Sequence, residues 1–512
     1  MTVKSSSRIH HRKCATGVMA SVLTVATVGA AVATAPGAAS AATNAELRSA
    51  APPSEASPTV TGPVTGGNGK PELSATSFDL STVGYTQSEY FLSGSATAYR
   101  AEGTLGPDGK WTAVPRSQAP YTTRIVVYRP ADAKKFNGTV VVEWLNVSAG
   151  RDVAPDWLMA HNELIRKGYA WVGVSAQSVG QAATKKADPA RYEKLTHPGD
   201  SYSYDIFSQT GQAVWKSPGT ILSGLEPRKV LGAGESQSAI RLTTYVNAVH
   251  PLVNVFSGYL IHSRAGTAGP LSQLPEGEAT PMPSVARTRN DLSVPVLTLQ
   301  TETDVSPSGL AYLDSRQDDT DRFRLWEVAG TAHADTYTLN VGPTDIGDGK
   351  GSVALFNTMR NPPTGAGPDL TCGKPVNSGQ QHYVLEAAFA GLNRWVVSGQ
   401  APPKAPRLQI VDKAFVLDAN GNAKGGIRTP SVDTPVATLS GLGQPVGGSP
   451  FCRLFGTTVP LTAAQLTALY PTHQAFVAAW TSSTVKAVNA GFILPADAAP
   501  IIAAASTSRV PN

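Results

Sequence analysis

"RKVLGAGESQSAIRLTTYVNAVH", Arg228 to His250, changes character at its middle. Its first seven residues are largely apolar or small and read as a strand, whereas from Gln237 onward Ala239, Leu242, Val246 and Val249 share one helical face. Between them lies Gly234-Glu235-Ser236-Gln237-Ser238. A sharp strand-to-helix turn of the form G-x-S-x-G exposes a serine hydroxyl at the end of a sheet, and its crowded backbone needs small residues on both sides. Gly234 and Ser238 are small, although Ser238 stands where the second glycine is expected. Alone, G-x-S-x-S is a weak signal, equally suited to an ordinary serine in a glycine-rich turn.

Working outward, strands alternate with helices. "GTVVVEWLN" is a continuous apolar strand of the buried parallel kind. Pro155-Asp156 opens the helix "WLMAHNELIRKG", with Leu158, Leu164 and Ile165 inward and Gly168 as its stop. "YAWVGVSA" is the next strand, a loop rich in Tyr and Asp follows, and "YDIFSQTGQAVWK" is a helix. "VNVFSGYLI", "VPVLTLQ" and "FRLWEVAG" supply later strands, and "QHYVLEAAFAGLNRWVVSG" the last core helix. This alternation predicts an α/β fold with a mostly parallel central sheet flanked by helices. Upstream, "EYFLSGSATAYRAEG" and "YTTRIVVYRP" also read as strands. Residues 263–293 and 336–380 are loop-like insertions rich in Gly and Pro, placed where caps and substrate pockets are built. In the C-terminal extension, 400–512, "LQIVDKAFVLDANGNAKGGI" reads as a hairpin turning at Asn420-Gly421, and 461–506 as short helices. There is no internal repeat.

At 512 residues with 41% hydrophobic and 15% charged residues, the chain is long enough for one large packed core. Residues 1–41 have a basic start, an apolar stretch rich in Ala and Thr, and Ala39-Ser40-Ala41, an A-x-A cleavage site. They read as a secretory signal cleaved near Ala41, too short and wrongly flanked for a stable membrane anchor. Of the formal charge of +5 they carry +4, and the remaining balance, with no Lys/Arg run, excludes the electrostatic footprint of a nucleic-acid binder. Residues 42–70 are rich in Ala, Ser, Thr, Pro and Gly and read as a flexible segment before the main domain, 71–512. Cys14 leaves with the signal, so an exported chain keeps Cys372 and Cys452, which are expected to form a disulfide. Closing a loop of about 80 residues is worth roughly 4 kcal/mol in the chain-entropy model, less any strain.

Ester hydrolysis at neutral pH takes a nucleophile, a base, a carboxylate that orients the base, and donors for the oxyanion. "PVLTLQTETDV" ends a strand with Glu302 and Asp304 in the following loop, and "WEVAGTAHAD" follows the last strand with His333. Ser236, Asp304 and His333 therefore run in the chain order nucleophile, acid, base, with Glu302 as the alternate acid. A solvated acidic turn and a structural histidine are the ordinary alternatives. The amide of Gln237, at a helix N-terminus, is one expected oxyanion donor, and the backbone around Asn146 and Val147 the other.

At these residues the chain resembles a known family. "EWLNVSAG", "DPARYEKLTHPGDSYSYDIFSQ", "GAGESQSAIRLTTYVNAVHP", "HSRAG", "PVLTLQTETDV", "RLWEVAGTAHAD" and "FCRLFGTTVP" are similar to stretches of the bacterial alpha/beta hydrolase domain family, many of whose members are secreted. The resemblance spans about residues 75 to 490. It implies an α/β-hydrolase core, a G-x-S-Q-S elbow around Ser236 in which Ser238 is the family's own residue, and carboxylic ester hydrolysis. It does not choose between linear esters, lactones and depsipeptide esters, whether small-molecule, lipid or peptide.

Several residues keep two readings. Glu235 either faces the pocket, repelling anionic acyl groups, or makes a structural bond beneath the elbow. His262 and Arg264, after a core strand, are candidates to line the substrate pocket or ordinary core residues. Asp318, Asp319 and Asp321, and Asp345 with Asp348, are oxygen-rich turns without the spacing of a calcium loop, so solvated turns are favoured and no metal is expected. No zinc, redox or dinucleotide signature calls for a cofactor. Two other activities fit the same residues: a peptidase or amidase with the same triad, and a secreted binding protein that has lost turnover on a hydrolase scaffold.

Overall fold

The computed structural model describes residues 57–511 except 368, 369 and 448, so the expected signal, 1–41, and residues 42–56 lie outside the described residues. Six parallel strands form the centre of the sheet because each is apolar on both faces: β4 (Thr139–Trp144), β5 (Ala170–Val174), β6 (Lys229–Glu235), β7 (Gly258–His262), β8 (Val296–Thr301) and β9 (Phe323–Val328). Three antiparallel strands extend one side, namely β1 (Thr59–Thr61), β2 (Tyr85–Glu102) and β3 (Thr112–Pro130), giving the order β1-β2-β3-β5-β4-β6-β7-β8-β9.

Alternation along β4 shows how the sheet is covered. Val140, Val142 and Trp144 join the core on one face, with helices α2 (Ser203–Lys216) and α3 (Gln237–Thr244). Val141 points to the other, with α1 (Pro155–Arg166) and α5 (Gln381–Ser398). Trp144 is fully buried with its ring 5.7 Å from Tyr204 and 5.0 Å from Phe207, and its Nε1 donates to Gln177 at 3.0 Å. Truncating an aromatic side chain packed in this way costs roughly 3–5 kcal/mol. At the end of β4 the buried Glu143 carboxylate accepts from the amides of Asp156 and Trp157, so strand and helix N-terminus are tied across the loop that carries Asn146.

Four regions depart from expectation. Residues 57–70 are not a free tether: β1 pairs with β2, and the Arg191 guanidinium donates to the carbonyls of Val64 and Gly66. The insertion 336–380 contains a helix, α4 (Lys350–Arg360), whose Leu355, Phe356 and Met359 are buried against the C-terminal helices α6 (His473–Asn489) and α7 (Pro495–Ser506); glycines on either side obscure that short apolar stripe. The loop before α2 holds a further helix, Ser178–Ala187. The C-terminal hairpin folds tightly at Asp412-Lys413, both at positive φ, while Asn420-Gly421 forms a second turn closed by the Leu417–Ala423 bridge. All the described residues belong to one compact unit, Ala50–Asn512. None of its described helices is long and apolar enough to cross a membrane.

Candidate active site

Ser236 is the single residue between β6 and α3, with φ 60° and ψ −121°. A non-glycine residue in that conformation costs on the order of 1–3 kcal/mol and persists only when its surroundings hold it. Here its amide donates to the His262 carbonyl on the neighbouring strand, and its carbonyl accepts from Ile240 one helical turn on, each at 3.0 Å. A Cβ added at Gly234 would lie 3.3 Å from the Ser238 Cβ and backbone, which is why both positions are small. Ser236 itself is half-buried, so its hydroxyl is reachable.

The candidate acid and base converge on it from the ends of β8 and β9. His333 Nε2 lies 2.7 Å from Ser236 Oγ, and Nδ1 2.7 Å from Asp304 Oδ1. An ionised Asp304 only accepts, so Nδ1 carries the proton and the Nε2 lone pair faces the serine. Asp304 is locked by a reciprocal cap: its Oδ2 accepts from the Thr301 amide and hydroxyl at 2.7 and 2.8 Å, while its own amide donates to Thr301 Oγ1.

Glu302, the alternate acid, points elsewhere. Its buried carboxylate accepts from the amides of Gly330 at 2.6 Å and Gly441 at 2.8 Å, clamping the acid turn, the histidine loop and the C-terminal extension together. Burial raises its pKa to about 7, against the opposing pull of these amides. Gly441 is required at this contact, because a Cβ there would lie 2.5 Å from the Thr303 amide nitrogen. Behind the histidine loop, Cys372 and Cys452 form a disulfide with Cα atoms 5.5 Å apart, packed in a small cluster that includes Ala334.

Glu235 turns its carboxylate toward the base, with Oε1 3.3 Å from His333 Nε2. Asn146 Nδ2 donates to Glu235 Oε2 at 3.2 Å and to its carbonyl at 3.1 Å. The Asn146 amide is engaged with the Val153 carbonyl at 2.9 Å, so the oxyanion donor expected there is not free. The Val147 amide has no partner among the described residues, and the Gln237 amide, first in its helix, has no carbonyl of that helix to bond. Burial would lower the His333 pKa, but the charges of Glu235 and Asp304 outweigh it and raise it to about 9. Glu235 is raised to about 7, by burial first and then by Asp156 and Asp304, against His333 and His262.

His262 and Arg264 do not line an open pocket: both are fully buried. His262 Nδ1 is 2.8 Å from Asp156 Oδ1, and its Nε2 lies 2.8 Å from the Gln381 amide group. Arg264 sits over the Tyr312 ring and donates to the carbonyls of Ala265, Thr267 and Ala286, tying down the first insertion. In the two acidic turns, Asp319 pairs with Arg407 and Asp345 with Tyr337 and Asn162. Asp156, Gln381 and Gly441 carry no signal for the site in the sequence around them. Their partners are 106, 119 and 139 residues away, and no local pattern reports contacts of that range. A surface groove of about 800 Å³ between α4 and α7 contains none of these residues and no base beside a nucleophile.

A serine on a strained turn, hydrogen-bonded to a histidine that a buried carboxylate orients, is the arrangement of an activated oxygen nucleophile. The chain is similar to a solved serine hydrolase without lid from Xanthomonas campestris, at 13% identity over 45% of this chain and 83% of that one, with a TM-score of 0.24. It is also similar to fungal esterases from Rhizomucor miehei, at 12% identity over 48% of this chain and 78% of that one, with a TM-score of 0.26. No curated protein matches it. The family model described as alpha/beta hydrolase domain matches residues 60–503. That match spans most of the sequence, and the chain belongs to the alpha/beta hydrolase domain family.

Proposed function

We propose that this protein is a secreted serine hydrolase that cleaves carboxylic esters through an acyl-enzyme. The observation that carries this reading is the unbroken chain from Ser236 Oγ through His333 to Asp304, two contacts of 2.7 Å each, with the serine held at positive φ. Ser236 Oγ attacks the carbonyl carbon while its proton passes to His333 Nε2. Asp304 holds the Nδ1 proton and stabilises the imidazolium that forms. The amides of Gln237 and Val147 are the donors for the oxyanion, Gln237 with the positive end of the α3 dipole behind it. Collapse of the tetrahedral intermediate breaks the ester C–O bond, and His333 gives its Nε2 proton to the departing alkoxide. Water then attacks the acyl group with His333 as base, releasing the acid and restoring Ser236.

Export rests on the basic and apolar character of residues 1–41, on the Ala39-Ser40-Ala41 site, and on a disulfide that suits an oxidising compartment. Linear esters, lactones and depsipeptide esters pass through the same intermediate and are all admitted as substrates. Turnover of a p-nitrophenyl ester against the matching anilide tests the reaction class. The ester should be hydrolysed far faster, and Ser236→Ala should abolish the activity; undiminished turnover in that variant would overturn the proposal.

A further inference from the structure

An oriented catalytic histidine needs one carboxylate, and His333 has two. Asp304 meets Nδ1, while Glu235 Oε1 stands 3.3 Å from Nε2, the nitrogen that must take the proton of Ser236. Glu235 is fixed in this position. Its side chain is buried, its Oε2 and carbonyl both receive Asn146 Nδ2, and Asn146 is pinned by two backbone bonds with Val153.

The charged groups that bear on Glu235 come from three strand ends and one helix around it: His333 after β9, His262 at the end of β7, Asp304 after β8 and Asp156 at the start of α1. His262 is already paired with Asp156, which leaves His333 as the cation in direct contact with Glu235. When His333 is an imidazolium, its Nε2–H points between Ser236 Oγ and a carboxylate. When Nε2 has lost that proton, its lone pair takes the Ser236 hydroxyl at 2.7 Å, and the Glu235 oxygen 3.3 Å away loses its cationic partner. The contact therefore favours the imidazolium, in the same sense as the upward shift of His333 against its burial.

We propose, resting on the serine-hydrolase reading, that Glu235 is a positioning residue: it holds the Nε2 proton on His333 and so moves the enzyme's working range toward alkaline pH. Acylation requires Nε2 as a free base. The proton held between Nε2 and Oε1 must first pass to solvent water or hydroxide, and only then can Ser236 give its own proton to Nε2. In the transition state the same carboxylate stabilises the returning imidazolium, so Glu235 costs activity at neutral pH and supports it at high pH.

The test is the pH dependence of fluorophosphonate labelling at Ser236 in the full-length protein and in Glu235→Gln and Glu235→Asp. Glu235→Gln should move the acid limb down by roughly one to three pH units. Glu235→Asp, which keeps the charge, should stay close to the parent. An acid limb in Glu235→Gln that coincides with the parent's would overturn the proposal. The NMR titration of His333 in the parent protein reads the same contact without any variant: a midpoint well above the ordinary value of about 6.5 is expected, and one at or below it overturns the proposal. If Ser236 is not labelled at any pH, the hydrolase reading fails, while the histidine titration still decides whether Glu235 holds the proton.

Discussion

The nucleophile turn and the acid turn each carry an extra glutamate, one and two residues from the key side chain, and the two glutamates do opposite things. Glu235 precedes Ser236, and its carboxylate faces the base. Glu302 precedes Asp304, and its carboxylate faces away, into the amides of Gly330 and Gly441. Strand alternation and the helical cap decide this. Glu235 is the last strand residue before a strained turn, while Glu302 opens a one-turn helix whose N3 position, Asp304, points at His333. The two turns are also braced differently. The nucleophile turn leans on its neighbouring strand through His262, and the acid turn on chain from 138 and 139 residues later, through Thr303 and Glu302 to Gly441.

Exchanging the acids is the strongest way to break this comparison. Asp304→Asn should lower kcat about 10⁴-fold, because the wrong tautomer then faces the serine. Glu302→Gln should lower it less than tenfold. Equal losses in steady-state kinetics would mean the two carboxylates share the role. Next in size is removal of the disulfide in Cys372→Ala/Cys452→Ala, expected to cost roughly 2–4 kcal/mol. Hydrogen exchange should then quicken in residues 330–335 and stay slow in 234–240, since Ala334 of the histidine loop packs on the disulfide cluster and residues 234–240 take no part in it.

Glu302 also makes a prediction about pH. Its folded value of about 7 lies above the ordinary 4.5, so between these values the folded state holds a proton that the unfolded chain has released. Its contribution to stability is therefore lost as pH rises through that window and stays lost above it. Denaturant midpoints of the parent protein should fall relative to Glu302→Gln from pH 4.5 to 7, and parallel curves would remove Glu302 as a buried titrating group. The smallest effect is expected for Asn146→Ala, which loosens Glu235 without removing it: in the kcat/KM profile the acid limb should move down by less than one pH unit, with a few-fold loss at alkaline pH.

Much of this was legible in the chain because local patterns report local structure. The β6–α3 turn, the continuous apolar strands and the order of Ser236, Asp304 and His333 can all be read from short windows, and in the fold Ser236 Oγ and Asp304 Oδ1 each lie 2.7 Å from a ring nitrogen of His333. What was not legible depends on distant partners. Nothing near Glu302 says that a glycine 139 residues on will occupy its carboxylate, and nothing in "LNVSAG" says that Val153 takes the Asn146 amide. His262 and Arg264 looked available because they follow a strand; insertions and helices from elsewhere in the chain cover them. Helix α4 was hidden for a different reason, its apolar stripe being only three residues long between glycines.

The central claim is that Ser236 is a nucleophile activated through His333. Stoichiometric reaction of the purified protein with a fluorophosphonate, with the adduct located by peptide mass spectrometry, tests it most directly. One adduct per chain on Ser236, absent in Ser236→Ala and strongly slowed in Asp304→Asn, is the predicted result. An unlabelled protein, or an adduct that persists in Ser236→Ala, would contradict it.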